Sequence, residues 1–143
     1  MSGQLIVLDT GVVVSALIGS RDAAAFRVCR AIGTGEVRLA ISDRFLTELV
    51  EVVRRRYAEG LIRDAARAFE VALDLGTEGE KHHPETHPWP KSISDPGDWW
   101  IAELAYETGA DFIVASDPHV TEATLPIPVE ILTPQAFAHR AGL

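Results

Sequence analysis

Asp9 closes the apolar run at residues 5–8, and Asp117 follows a second such run, residues 112–115. Glu48 and Asp98 fall within the first two turns of predicted helices. In a parallel α/β fold, strand ends and the helix starts that follow them share one edge of the sheet. Carboxylates gathered there without a basic partner repel one another and call for a divalent cation. Mg²⁺ and Mn²⁺ take oxygen ligands, and a site built from two or more carboxylates leaves coordination positions for water and phosphate. Such an ion acidifies a bound water and stabilises charge during in-line attack on phosphorus. The chemistry then needs neither a nucleophilic serine nor a histidine.

Each acid also has a plain structural role. Asp9 can cap the helix that begins near Gly11, as acids after strands commonly do. Glu48 lies at the margin of its helix's apolar face, about 40° beyond Val52, whereas Glu51 points into solvent. Asp95 as N-cap, Pro96 at the first helical position and Asp98 three residues on make a capping-box pattern. Of this pair Asp95 is the better cap and Asp98 the better site candidate. Asp117 precedes Pro118 and suits a turn. The case for a site rests on convergence of the four.

The elements that would bring them together alternate between strand and helix. Residues 4–9 read as a buried strand, followed by a helix over 12–18 ended by Gly19. Helical spacing runs through 22–33 and stops at Gly33 and Gly35. A strand at 37–41 precedes Ser42, a plausible N-cap for a helix reaching about Tyr57. A further helix spans 61–75 and closes at Gly76. Residues 77–94, with three prolines and three histidines, read as a loop holding at most one short edge strand. A helix at 99–108 stops at Gly109, a strand covers 111–115, and a short helix follows Pro118. Residues 129–132 form a last strand and 134–141 a closing helix. This order predicts an α/β fold over 1–143 as one domain: a mostly parallel central sheet with helices on both faces.

The 143 residues, 47% hydrophobic and 24% charged, suit one soluble globular domain. The lone Cys29 sits at an apolar helical position and reads as a buried thiol in a reducing compartment. No apolar run reaches membrane-spanning length, and a cytoplasmic protein is expected. The net charge of −8 lacks the basic footprint of a nucleic-acid binder. The imbalance is uneven, however: Arg54, Arg55, Arg56, Arg63 and Arg67 make one segment locally basic.

The stretches LIVLDTGVVVSAL at 5–17, SDRFLTELVEVV at 42–53 and SDPGDWWIAELAYETGADFIVASD at 94–117 resemble the PIN-domain ribonucleases. The likeness is greatest to the VapC-like toxins of toxin–antitoxin pairs and extends over essentially the whole chain. It implies a three-layer sandwich in which Asp9, Glu48, Asp98 and Asp117 are catalytic and bind Mg²⁺ or Mn²⁺. It implies RNA as substrate, an antitoxin protein as partner, and a homodimer or higher oligomer. Thr10, Asp95 and Ser116 would support the site. Gly11 stands where many relatives carry Asn, and Ala115 where a Thr or Ser hydroxyl is common, so two polar neighbours of the acids are missing.

Other residues have weaker claims. Arg54, Arg55 and His119 are candidates for substrate contact, against the plainer readings of a solvated helix face and a surface turn. Of Trp99 and Trp100, one is expected in the core and the other half-exposed, as a base-stacking platform or a dimer contact. His82, His83 and His87 lack the fourth ligand of a structural zinc site. A catalytically weak PIN-like interaction module remains an alternative. A receiver or aspartate-nucleophile phosphatase is disfavoured because the only lysines, Lys81 and Lys91, lie in the irregular loop.

Overall fold

Every side chain of β1 (Leu5–Leu8) is buried, as expected of a short apolar strand with both faces covered. It is the centre of the sheet. It pairs in parallel with β2 (Arg38–Ile41) on one side and β4 (Phe112–Val114) on the other. Outside them lie β3 (Glu80–Lys81) and β5 (Glu130–Leu132), giving the all-parallel order β3-β2-β1-β4-β5. This is a computed structural model, and it describes residues 3–85, 93 and 95–143.

Seven helices among the described residues complete the α/β three-layer sandwich: α1 (Thr10–Ile18), α2 (Ala24–Gly33), α3 (Asp43–Ala58), α4 (Ala65–Glu78), α5 (Trp99–Thr108), α6 (Pro118–Thr121) and α7 (Pro134–Ala141). Helix α5 packs on β1, β2 and β4, while α2 packs against α1, α4 and α7. Ile6, Val7, Leu8, Leu39, Ile113 and Val114 are fully buried between the layers.

Helix starts follow the expected chemistry. Ser42 Oγ accepts the Phe45 amide at 3.2 Å, and Thr133 Oγ1 accepts that of Ala136 at 3.1 Å. Proline occupies the first turn of α6 and α7. Gly109 ends α5 at φ 63°, a left-handed turn that glycine adopts without steric penalty.

The largest departures from the expected boundaries, others being one or two residues, are at the two ends of α4. The helix placed at 61–75 begins at Ala65, because Asp64 accepts the Arg67 amide at 3.0 Å and caps it there. It also continues through Gly76 to Glu78, since one interior glycine costs only about 1 kcal/mol. The real stop is Gly79, where a Cβ would lie 2.6 Å from Leu75 O and 2.8 Å from Ile41 Cδ1. The chain can turn into edge strand β3 only because that Cβ is missing. Residues 86–92 and 94, and with them His87, lie outside the described residues.

The contact that matters most for the site joins α3 to α5. Phe45 is fully buried, with its ring 5.9 Å from that of Trp100. Phe45→Ala should therefore destabilise by about 3–5 kcal/mol in urea denaturation, and Phe45→Leu by clearly less. Equal small losses would show that the two helices are not coupled through this ring.

Candidate active site

All four acids singled out from the sequence line one cleft of about 530 Å³, together with Thr10, Gly11, Val14, Ser15, Ile18, Val52, Arg56 and Leu61. Asp9 leaves the end of β1, and Asp117 lies beyond β4, three residues past Val114. Glu48 sits in the second turn of α3. Asp98 ends the 3₁₀ turn Pro96–Asp98 that leads into α5.

Capping does not consume all of these carboxylates. Asp95 accepts the Gly97 amide at 2.9 Å, and Asp117 accepts that of His119 at 2.9 Å. Asp98, at the start of α5, makes no cap hydrogen bond. Asp9 makes none to α1 of regular geometry either. The capping-box pattern thus accounts for Asp95 and leaves Asp98 facing the cleft.

The electrostatics show strain. Burial pushes the Asp9 carboxyl up to about 6; the charges of Asp98, Glu48 and Asp117 add to the rise, and the Gly11 amide partly offsets it. Glu48 is raised by burial and by Asp98, while Arg44 and the Trp100 indole draw it down. Asp98 is raised by burial, Asp95 and Asp117, and lowered by His119 and Arg44. Glu48 Oε2 and Trp100 Nε1 are nevertheless buried without a completed hydrogen bond. Arg44 Nε reaches Glu48 Oε2 only at 3.8 Å.

A set of carboxylate oxygens, one of them buried without a hydrogen bond, fits a hard divalent cation. Among the described residues, however, no three His, Cys, Asp or Glu side chains are already closed around an ion position. Binding would require these side chains to turn inward.

The supporting residues divide. Thr10 is buried beside Asp9, Asp95 is exposed but electrostatically linked to Asp98, and Ser116 is exposed. A Cβ on Gly11 would meet only Asp9 Oδ2, at 3.8 Å, so a side chain could stand next to that carboxylate. Ala115 is fully buried. Trp100 belongs to the core and Trp99 is half-buried, its indole donating to Ile93 O at 2.7 Å.

The basic segment is more dispersed than its sequence suggests. Arg54 lines a different, apolar groove of about 440 Å³ between α1, α3 and α4, with Val13, Leu17, Leu49, Val50 and Tyr57. Arg67 is structural: it lies 5.6 Å from the Phe26 ring and donates to Gly19 O at the end of α1. Arg55 shares a small cleft with Arg44, Glu48 and Glu51. His119 is exposed and close enough to Asp98 to lower its pKa. Of the basic segment only Arg56 lines the acidic cleft; sequence reading missed Arg44, which pairs with Glu48. Both lie on the Glu48 side of α3 by helical spacing. His82 and His83 border a groove with Arg44, Gly97 and Trp99; His83 Nδ1 is 3.7 Å from Asp43, and no metal cluster forms there among the described residues.

A carboxyl raised on folding favours the protonated native state. Its contribution is most favourable below the ordinary Asp value and is lost as pH climbs through about 6. At neutral pH the penalty is on the order of 3 kcal/mol. Metal-free Asp9→Asn should therefore melt several degrees above the parent at pH 7.5, with the gap shrinking to about a third near pH 4.5. A gap that does not change with pH would show that Asp9 carries no such penalty.

Comparison with known proteins agrees with this geometry. The PIN domain model matches residues 5–119. A search of curated proteins gives no match. The fold is similar to the crystal structure of PAE2754 from Pyrobaculum aerophilum, with 14% identity, a TM-score of 0.59, and coverage of 99% of this chain and 91% of that one. It is also similar to VapBC2 from Rickettsia felis, bound to a DNA fragment from their promoter, with 14% identity, a TM-score of 0.52, and coverage of 90% and 97%. From the cleft, the all-parallel sheet and a family match covering most of its length, the chain belongs to the PIN domain family.

Proposed function

We propose that the chain is a metal-dependent endoribonuclease that hydrolyses RNA phosphodiester bonds, acting as the cytoplasmic toxin of a toxin–antitoxin pair. The observation that carries this reading is the meeting of Asp9, Glu48, Asp98 and Asp117 in one cleft, with Glu48 Oε2 buried and lacking a hydrogen bond. These four are the residues that would hold Mg²⁺ or Mn²⁺. When bound, the ion supplies an acidified water and stabilisation of charge on the phosphate.

The protein's own residues set the rest. Asp9, fixed between β1 and α1, anchors the buried end of the cleft. Glu48 and Asp98 close it from two helices held together by Phe45 and Trp100. Thr10 is buried next to Asp9, the Asp95 carbonyl accepts the Asp98 amide at 3.0 Å, and Ser116 lies next to Asp117. Val14, Val52 and Leu61 add apolar side chains to the cleft's lining. The residues 1–143 act as one domain in this reading.

The apolar groove between α1, α3 and α4 suits a partner segment, and an antitoxin is the partner that the VapBC2 likeness suggests. Phe69 and Leu73, one turn apart on α4, are exposed and suit self-association into a homodimer or larger oligomer. Among the described residues no helix is long and apolar enough to cross a membrane.

A second reading keeps the fold and drops turnover: an interaction module that binds a partner through the apolar groove. The missing polar groups at Gly11 and Ala115 favour it, since loss of such neighbours costs about 10- to 100-fold in metal affinity or activity elsewhere. Cleavage of single-stranded RNA with Mn²⁺ separates the two. The nuclease reading expects cleavage by the parent, none with EDTA, and none by Asp9→Asn. Equal cleavage by parent and variant would identify a contaminant. No cleavage and no Mn²⁺ heat by calorimetry would favour the module.

Proton competition gives a second test. With Asp9 at about 6, Mn²⁺ affinity should fall about tenfold from pH 7.5 to pH 5. Affinity constant over that range would remove Asp9 from the ligand set.

A further inference from the structure

A polyanion must approach an acidic cleft on a chain of net charge −8, so the placement of nearby cations matters more than their number. Two arginines of α3 flank Glu48: one lines the acidic cleft and the other a neighbouring cleft that Glu48 also borders. Arg56 lines the cleft itself, alongside Asp9 and Asp117. Arg44, one turn before Glu48, has its Nε 3.8 Å from Glu48 Oε2 and donates from Nη2 to Gly97 O at 3.4 Å, beside Asp98. With Glu48 and Val52 these residues recur every four positions, which places them along one stripe of the helix. At 1.5 Å per residue the two arginines are separated by about 18 Å along its axis, with Glu48 between them.

Their present partners hold them weakly. The Arg44–Glu48 pair is long, and the Arg44 side chain is 59% exposed. Arg56 pairs with Glu59 at 3.2 Å, with both side chains well exposed. Exposed pairs of this kind exchange readily for a stronger anion. Guanidinium groups hold phosphate bidentately, which suits them to a nucleic-acid backbone.

Resting on the nuclease reading, we infer that Arg44 and Arg56 form the phosphate track of the protein, gripping the RNA backbone on either side of the acidic cleft. Arg54, one residue from Arg56 in sequence, takes no part, because it lines the apolar groove. The track reads charge and spacing and is indifferent to base sequence.

The test uses a fluorescent single-stranded oligoribonucleotide and the full chain with Mn²⁺, all variants on an Asp9→Asn background to suppress cleavage. Anisotropy from 50 to 200 mM KCl yields both Kd and its salt slope. Arg44→Gln and Arg56→Gln should each raise Kd about three- to tenfold and reduce the slope by about 0.7, the value for one single-strand phosphate contact. The double variant should reduce it by about twice that. Lysine at either position should restore most of the slope, and Arg54→Gln should change neither quantity. A melting temperature held within a degree or two rules out misfolding as the cause. Slopes unchanged in the Arg44 and Arg56 variants, or reduced most by Arg54→Gln, would overturn this inference alone. A parent and background protein that bind no RNA at any salt would overturn it together with the nuclease reading.

Discussion

One buried carboxylate held beside three part-buried ones is the constraint around which this molecule is arranged. Asp9 is both the end of the central strand and the innermost acid of the cleft, so it cannot withdraw from the other carboxylates without disturbing the core. Its pKa, pushed up to about 6 by burial and by three acidic neighbours, records that conflict. The fold tolerates it because β1 is buried on both faces and paired on both edges, and because α5 lies across β1, β2 and β4. The apolar interior carries the stability while the carboxyl edge of the sheet carries the charge. A cation is the simplest relief available to such a cleft, and the proposed chemistry uses that demand.

Helix α3 shows how one element serves several surfaces. Phe45 faces the core and meets Trp100. Glu48, Val52 and Arg56 face the acidic cleft, whereas Leu49, Val50, Val53 and Tyr57 face the apolar groove. A partner lying in that groove would touch the helix that presents Glu48. The groove and the cleft are therefore bordered by two faces of one helix 16 residues long.

Much of this was legible in the residues. The alternation of apolar strands with amphipathic helices yielded the parallel sheet, and Ser42, Pro118, Pro134 and Gly109 marked their boundaries because capping is local chemistry. The four acids were legible for the same reason: each closely follows or opens an element whose type was clear. The limits of α4 were not, since Gly76 is tolerated inside the helix while Gly79 is required by an approach of Ile41 that only the tertiary structure creates. The arginines were misjudged by grouping them along the chain. At 100° per residue, Arg56 lies about 80° from Glu48 on the helix wheel and Arg54 about 120° away on the other side. The same wheel that placed Glu48 would have separated them. Arg67 could not have been assigned at all, because its stacking on Phe26 and its bond to Gly19 depend on how α4 meets α1 and α2.

The central claim is spatial, and anomalous diffraction from crystals grown with Mn²⁺ tests it most directly. The account predicts a manganese peak in the cleft, with oxygens of Asp9 and at least two of Glu48, Asp98 and Asp117 at about 2.2 Å or bridged through water. A cleft without a peak at millimolar Mn²⁺, or a peak held by other residues such as His82 and His83, would contradict it.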